Sequence, residues 1–361
     1  MSTTNNYSKE LIELFNEAEK CYASNRYSEA VPKYKKAAEL GHANAMYKLG
    51  SCILNGKGVT KDPKLGVAYI EKAAKQGDSE ARWLLGNAAE QRKDYNAAAN
   101  WYGMAADDGE ARALYKFGLL LYNGLYCSSN YEMAQGMAFR KFMPAALQNF
   151  APAERMVGLC CLYGRGTEKN AKNAVTWLEK ASIHGDAQAQ YRLGALYLSG
   201  TAIPQNFSQA WKYFNLAATN KYPEPGAFYF IGGFFEYGYG DVVKIDWPQA
   251  FQWYYKGMEH GDANAQSSVG RFYLFGRGVP KNEVEALNHI MSAAEKNNST
   301  GIALLGYAYD NGITLDQNKD KAAKLYEDAI QKGYTEAWVK EALQRIQENK
   351  AKKSKFSLFK R

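Results

Sequence analysis

The chain has 361 residues, 46% hydrophobic and 23% charged, proportions that support a buried core and exclude a wholly disordered protein. Five cysteines at irregular positions and four histidines leave little material for a disulfide framework or imidazole chemistry, and point to a reducing compartment. The net charge is +8, but six cations and no acid lie between Lys350 and Arg361, which leaves +2 for residues 1–349, too little for the phosphate-neutralising surface that DNA or RNA binding needs.

At the start, MSTTNNYSKELIELF lacks a basic stretch followed by an apolar one, and no run approaches the roughly 18 apolar residues of a membrane span. The expectation is a cytoplasmic protein without stable membrane insertion. From residue 45 onward the chain repeats itself. AMYKLGSCILNGKGV (45–59) returns as AERMVGLCCLYGRGT (153–167), AQYRLGALYLSGTAI (189–203) and AQSSVGRFYLFGRGV (265–279). The first glycine of each copy falls at Gly50, Gly86, Gly118, Gly158, Gly194, Gly232, Gly270 and Gly306, with spacings of 36, 32, 40, 36, 38, 38 and 36. A period in this range marks a solenoid whose unit is one helical hairpin, unable to bury its apolar face without neighbours. In the first helix, residues such as Ala189, Leu193 and Tyr197 share one side. The first glycine lets the paired helix approach, and a second one six residues later, as at Gly56, Gly164 and Gly276, ends the helix in a left-handed cap. The second helix carries patterns such as AVTWLEKA (174–181) and closes at a glycine or asparagine such as Gly185 or Asn220.

The loop signature G-x-G-V, present as Gly56-Lys57-Gly58-Val59 and Gly276-Arg277-Gly278-Val279 and nearly so as Gly164-Arg165-Gly166-Thr167, resembles that of the Sel-one-like repeats, relatives of the tetratricopeptide repeats. The resemblance covers residues 42–333 as eight repeats: 42–77, 78–109, 110–150, 151–185, 186–220, 221–261, 262–297 and 298–333. Residues 9–41 are similar to a tetratricopeptide repeat, and 78–109 also lacks the longer loop. The resemblance implies an all-α, right-handed superhelix that binds a protein or peptide in its concave groove. By family analogy, a narrower version is a bacterial immunity protein that sequesters a toxin. Residues 334–350 place Ala337, Leu343 and Ile346 along one face, as a capping helix requires. Residues 1–8 and the basic tail 351–361 are expected to be disordered, the tail either solvated or in weak contact with an acidic surface.

No catalytic constellation emerges, so the expected protein is not an enzyme and carries no cofactor or metal. A cysteine-rich branch of the family is linked to penicillin hydrolysis, but the one S-x-x-K here, Ser357 to Lys360, lies in the basic tail, where nothing would hold an oxyanion. Cys21, Cys52, Cys127, Cys160 and Cys161 do not match that branch's pairs and read as core or loop residues. His184 and His260 precede closing glycines and His42 follows one, positions suited to helix C-capping. No zinc spacing or phosphate loop is present.

Recognition should therefore lie on the first helices. Three residues before the first glycine stand Tyr47, Trp83, Tyr115, Arg155, Tyr191 and Tyr229 in the first six repeats, either packed between repeats or forming an aromatic ladder along the groove. Just after it come Arg271 and Tyr307, and four residues after it Glu90, Tyr122, Glu236 and Asp310, a mixture that suits specific protein recognition. Tyr237 joins them as an anchor, with Arg155, Arg271, Glu90 and Glu236 setting polarity. Two repeats are irregular. The third carries Pro144 inside its second helix, which is expected to bend or break there. The sixth places Phe228, Phe230, Phe234, Tyr237, Tyr239, Trp247, Phe251 and Tyr255 off the repeat pattern, as an enlarged core or an exposed patch.

Overall fold

The computed structural model describes residues 7–127 and 130–358. Among them are nineteen α-helices, one short 3-10 turn (Tyr239–Asp241) and no strand. They group into two compact units, Met1–Asp186 and Ala187–Arg361. In the first unit the hairpins are α1 (Lys9–Ala23) with α2 (Tyr27–Glu39), α3 (Ala43–Asn55) with α4 (Pro63–Lys75), α5 (Ser79–Gln91) with α6 (Tyr95–Asp107), α7 (Ala111–Tyr122) with α8 (Tyr131–Ala146), and α9 (Ala151–Tyr163) with α10 (Ala171–Ile183). In the second they are α11 (Ala187–Ser199) with α12 (Phe207–Ala218), α13 (Pro225–Tyr237) with α14 (Trp247–Glu259), α15 (Ala263–Phe275) with α16 (Glu283–Glu295), and α17 (Ser299–Asn311) with α18 (Lys319–Gln331), followed by a single α19 (Ala337–Leu358).

Local chemistry sets these boundaries. From α4 on, every second helix of a hairpin opens on Asp or Asn, as at Asp62, Asp94, Asn130 and Asp246, whose side chain accepts the backbone N–H three residues ahead and so satisfies one of the unpaired donors of the first turn. First helices end in left-handed glycine caps at Gly56, Gly164, Gly238, Gly276 and Gly312. Inside the hairpin the first glycine is a matter of space. A Cβ on Gly232 would lie 2.6 Å from the Tyr254 ring, so any side chain there would push the two helices apart. The second glycine of the loop has a different task. Gly278 has φ +68°, and a Cβ there would stand 2.5 Å from the carbonyl carbon of Trp247, which opens the second helix of the preceding repeat. Gly58 meets Tyr27 and Gly166 meets Gln135 in the same way, so each loop docks on the helix before it.

The first helices also approach one another from repeat to repeat, α3 with α5, α13 with α15 and α15 with α17. Their cores are built from alanines and aromatics that are almost wholly shielded, among them Tyr34, Tyr102 and Phe142 in the first unit and Phe214, Phe234, Tyr254, Phe272 and Tyr326 in the second. Of the off-pattern aromatics in the sixth repeat, Phe228 and Phe234 are buried and Phe230, Tyr239 and Phe251 half-buried, whereas Tyr237, Trp247 and Tyr255 are exposed. The excess thus divides between an enlarged core, where Phe214 stacks on Phe230 at 4.6 Å, and a surface.

Several expectations are corrected. Helix α8 runs unbroken through Pro144 and ends at Ala146; a proline this close to the C-terminus removes one helical bond and leaves the rest intact. Tyr7 and Ser8 are placed rather than disordered: the Ser8 side chain caps α1 by accepting from Leu11, and Tyr7 stacks on His42 at 4.4 Å. Residues 1–6 lie outside the described residues. Helix α19 continues past residue 350 to Leu358, because extending an existing helix through lysines and alanine requires no new nucleus. Residues 359–361, Lys360 of the S-x-x-K sequence among them, lie outside the described residues. His42 caps the N-terminus of α3, its Nδ1 accepting from the Ala45 N–H at 3.2 Å, and not the C-terminus of the helix before it. His184 and His260 do sit at helix C-termini, yet their rings are engaged elsewhere, His184 with the buried Glu154 at 2.7 Å and His260 stacked on Phe228 at 4.8 Å.

Burial holds His42 below the usual imidazole range, against a weaker opposing pull from Asp78. The native state therefore binds this proton less readily than the unfolded chain. Its contribution to stability is intact above about pH 6.5 and is lost as the pH falls through the lowered native value. Protonation of Nδ1 would also remove the acceptor for Ala45. His42→Asn, which keeps a capping acceptor, should flatten the acid limb of the urea midpoint measured from about pH 7.5 to about pH 5; an unchanged limb would assign the acid sensitivity to other groups.

All five cysteines are free, and four of them, Cys21, Cys52, Cys160 and Cys161, are buried. Burial, with a smaller push from its neighbour, raises the Cys160 thiol to about 12. Cys127 is exposed. Native alkylation should therefore add one adduct quickly, at Cys127, with the others reacting only on unfolding; a second fast adduct on intact protein would contradict the burial pattern.

Candidate functional site

The first-helix face of the second unit carries a cleft of about 510 Å³ lined by Tyr237, Arg271, Phe275, Arg277, Leu304, Tyr307, Tyr334, Glu336 and Trp338. These residues come from α13, α15 and its closing loop, α17, the connection between α18 and α19, and the start of α19. Its wall is a chain of rings: Phe275 against Tyr307 at 5.9 Å, Tyr307 against Trp338 at 5.9 Å, and Trp338 against Tyr334 at 6.0 Å. Tyr237 and Phe275 remain 54% and 45% exposed, so the wall is only partly used by the fold. Burial raises the Tyr237 phenol, with Arg271 pulling the other way through charge and a hydrogen bond; it stays a neutral donor at physiological pH.

At the base lies an ion cluster. The Arg271 guanidinium donates to both Glu236 oxygens at 2.7 Å, and Tyr254 donates its hydroxyl to Glu236 at 2.7 Å. Glu236 is only 4% exposed. Burial is the largest single influence and opposes the charge on Arg271, but the hydrogen bonds it donates to Glu236 and the charge of that carboxylate together outweigh it and hold the guanidinium protonated. The same arrangement recurs. Glu90 accepts from Tyr102 at 2.7 Å and from Lys116 of the next repeat at 3.0 Å. Asp310 is bonded by Tyr326, Lys319 and Arg345 of α19, and Glu19 by Tyr34 and Lys48. In each case an acid on a first helix joins a tyrosine on its own second helix to a cation on the following element.

The other sequence candidates fall into two groups. Tyr47 packs on the core of the first hairpins, Trp83 lies against Tyr102 and under Arg112, and Tyr115 meets Phe142 and Phe150. Tyr191 contacts Phe214 and Phe230, and Tyr229 contacts Tyr254, with burial pushing its phenol up to about 12. These half-buried rings pack against the second helix of their own hairpin or its neighbours, and Trp83 and Tyr191 also reach the next repeat, at Arg112 and Phe230. Arg155 is paired with Asp186 at 3.1 Å, and Tyr122 accepts from Arg165 at 2.7 Å. Tyr237, Arg271 and Tyr307, by contrast, come together in the cleft, with Glu236 directly beneath. Asp310 is buried, and its bond to Arg345 ties α19 to the last hairpin.

Nine segments of the chain, residues 34–42, 43–78, 79–110, 111–136, 151–186, 187–222, 227–262, 263–298 and 299–334, match the Sel1 repeat. The chain is a Sel1 repeat protein. It is 28% identical over 278 residues to chitin synthase regulator SKT5 of Saccharomyces cerevisiae, an alignment that covers 73% of this chain and 39% of that one. It is 31% identical over 212 residues to chitin synthase regulatory factor 3 of Schizosaccharomyces pombe, covering 55% and 22%. This Sel1 repeat protein thus spans less than half the length of either relative. Among solved structures, a Sel1 repeat protein from Oxalobacter formigenes superposes with a TM-score of 0.61 at 29% identity, over 71% of this chain and 99% of that one. The fold is accordingly an all-α superhelix. The partial match at 34–42 extends the Sel1 register into the hairpin that resembles a tetratricopeptide repeat.

Six cleft residues of this Sel1 repeat protein, Phe275, Arg277, Leu304, Tyr334, Glu336 and Trp338, were not among the sequence candidates. Glu336 and Trp338 lie beyond the last repeat, where no comparison between copies reaches. The ion clusters, in contrast, have a sequence signal. Where the second helix presents Tyr102, Tyr254 or Tyr326 to the first glycine, the fourth residue after that glycine is Glu90, Glu236 or Asp310; where it presents Ile70, Phe142, Leu178, Phe214 or Ile290, that residue is Leu54, Tyr122, Leu162, Leu198 or Leu274. The two positions change together because a buried phenol needs an acceptor. Among the described residues no cluster of His, Cys, Asp and Glu could hold a metal ion, and no helix is long and apolar enough to cross a membrane.

Proposed function

We propose that this Sel1 repeat protein is a non-enzymatic adaptor that grips a protein partner on the first-helix face of residues 187–361, with the cleft around Tyr237, Phe275 and Trp338 as its anchor site. The observation that carries this reading is the cleft itself: large rings, two of them about half exposed, of the residue types that dominate binding energy at interfaces. The closeness of first helices to one another supports placing them on the concave side. The names of the fungal relatives support a regulatory adaptor, one that holds or positions an enzyme; no observation favours the narrower toxin-neutralising version.

The test is affinity capture from native lysate, followed by titration of the purified partner against variants. Tyr237→Ala and Phe275→Ala, which remove exposed rings, should each weaken the partner's affinity by about 2 kcal/mol with the melting temperature unchanged. Unaltered affinity in both variants would move recognition elsewhere on the chain. Turnover of a chromogenic β-lactam by the purified protein would refute the non-enzymatic reading.

A further inference from the structure

Two guanidinium groups share one carboxylate at the base of the cleft. Arg271 saturates Glu236 through two bonds of 2.7 Å, and Arg277 stands 3.5 Å from the same carboxylate. Arg277 keeps 42% of its side chain exposed and lies over the rings of Trp247 at 5.8 Å and Phe275 at 5.9 Å. Its pairing with Glu236 is secondary to that of Arg271, so the exposed side of the guanidinium can take a further carboxylate, with the two rings beside it. The other carboxylate on the lining, Glu336, is bonded to the Trp338 indole N–H at 2.9 Å. The cavity volume of about 510 Å³ lies within the range of pockets that enclose a ligand-sized group.

The geometry points to an acidic linear peptide as the occupant of this cleft: one aromatic or large aliphatic side chain seated against Phe275, Tyr307 and Trp338, with a neighbouring Asp or Glu carboxylate accepting from Arg277. This rests on the adaptor reading above and names the chemistry of its partner. The site balances two guanidinium groups against two carboxylates, but Arg277 is the cation that no carboxylate holds by two bonds, and beside an aromatic wall it selects for that pairing, since a carboxylate accepts two parallel N–H bonds from a guanidinium, whereas a basic segment would meet Arg277 as a like charge.

A random dodecapeptide library displayed on phage, selected on the full chain, tests it. The expected consensus combines Asp or Glu with Phe, Trp or Leu. The synthetic consensus peptide should bind about tenfold more weakly to Arg277→Ala and should weaken with added salt, and selection on Arg277→Glu should return lysine or arginine in place of the acid. A thermal melt of each variant checks folding, and the salt dependence on the unaltered chain gives a second readout if Arg277→Ala melts early. A neutral or basic consensus whose binding is lost in Tyr237→Ala but kept in Arg277→Ala would overturn the acidic ligand while leaving the cleft as a binding site. Binding unaffected by either variant, or no enriched consensus, would overturn both.

Discussion

Glu236→Ala is expected to cost about 3 kcal/mol in chemical denaturation, the penalty for leaving a largely shielded cation and the buried Tyr254 hydroxyl without their partner. The carboxylate is 4% exposed and receives two bonds from Arg271 and one from Tyr254. The size of the loss would measure the orphaned groups rather than the worth of the cluster. Other repeats fill the corresponding sites with apolar residues such as Leu198 and Phe214. The triple variant Glu236→Leu, Tyr254→Phe, Arg271→Leu should therefore recover most of the stability that Glu236→Ala loses. If the triple variant is as unstable as the single one, the cluster contributes packing that the apolar set cannot replace.

Phe234→Ala should cost about 3–5 kcal/mol, the usual range for deleting a buried aromatic ring. Phe234 is fully buried, with Trp211 at 5.4 Å and Tyr239 at 5.2 Å. Tyr237, on the same helix, is 54% exposed, and its truncation should change stability by no more than about 0.5 kcal/mol while weakening the partner. Comparable losses from the two substitutions would mean that the sixth repeat's aromatics form one core and that Tyr237 is part of it.

The hairpins were legible because their causes recur. From the second hairpin on, a glycine such as Gly232 stands where the two helices cross closely, an αL glycine such as Gly276 where most first helices stop, and an Asp or Asn where each second helix starts. The candidate site was less legible for two reasons. Read one position at a time, Glu90, Glu236 and Asp310 look like free acids on a groove; only their pairing with Tyr102, Tyr254 and Tyr326 on the facing helix reveals buried acceptors. The cleft, moreover, crosses α13, α15, α17 and α19, and Trp338 belongs to no repeat, so periodicity could not bring its wall together. Pro144 misled because its effect depends on distance from the helix end, and α19 because a tail too polar to nucleate a helix can still extend one.

The docking of each G-x-G loop on the preceding second helix also defines what can be copied. Gly278 fits against Trp247, Gly166 against Gln135 and Gly58 against Tyr27, so a hairpin cut at its own ends leaves its loop without a seat and its predecessor without a cover. The segment that carries its contacts with it begins at a second helix and ends after the next loop, as from Trp247 to Gly278. Duplication or deletion in that phase preserves the lock between neighbours, whereas the same length moved in hairpin phase breaks one at each end. Arrays of this kind should therefore grow and shrink by a unit offset by half a repeat from the one that the eye picks out.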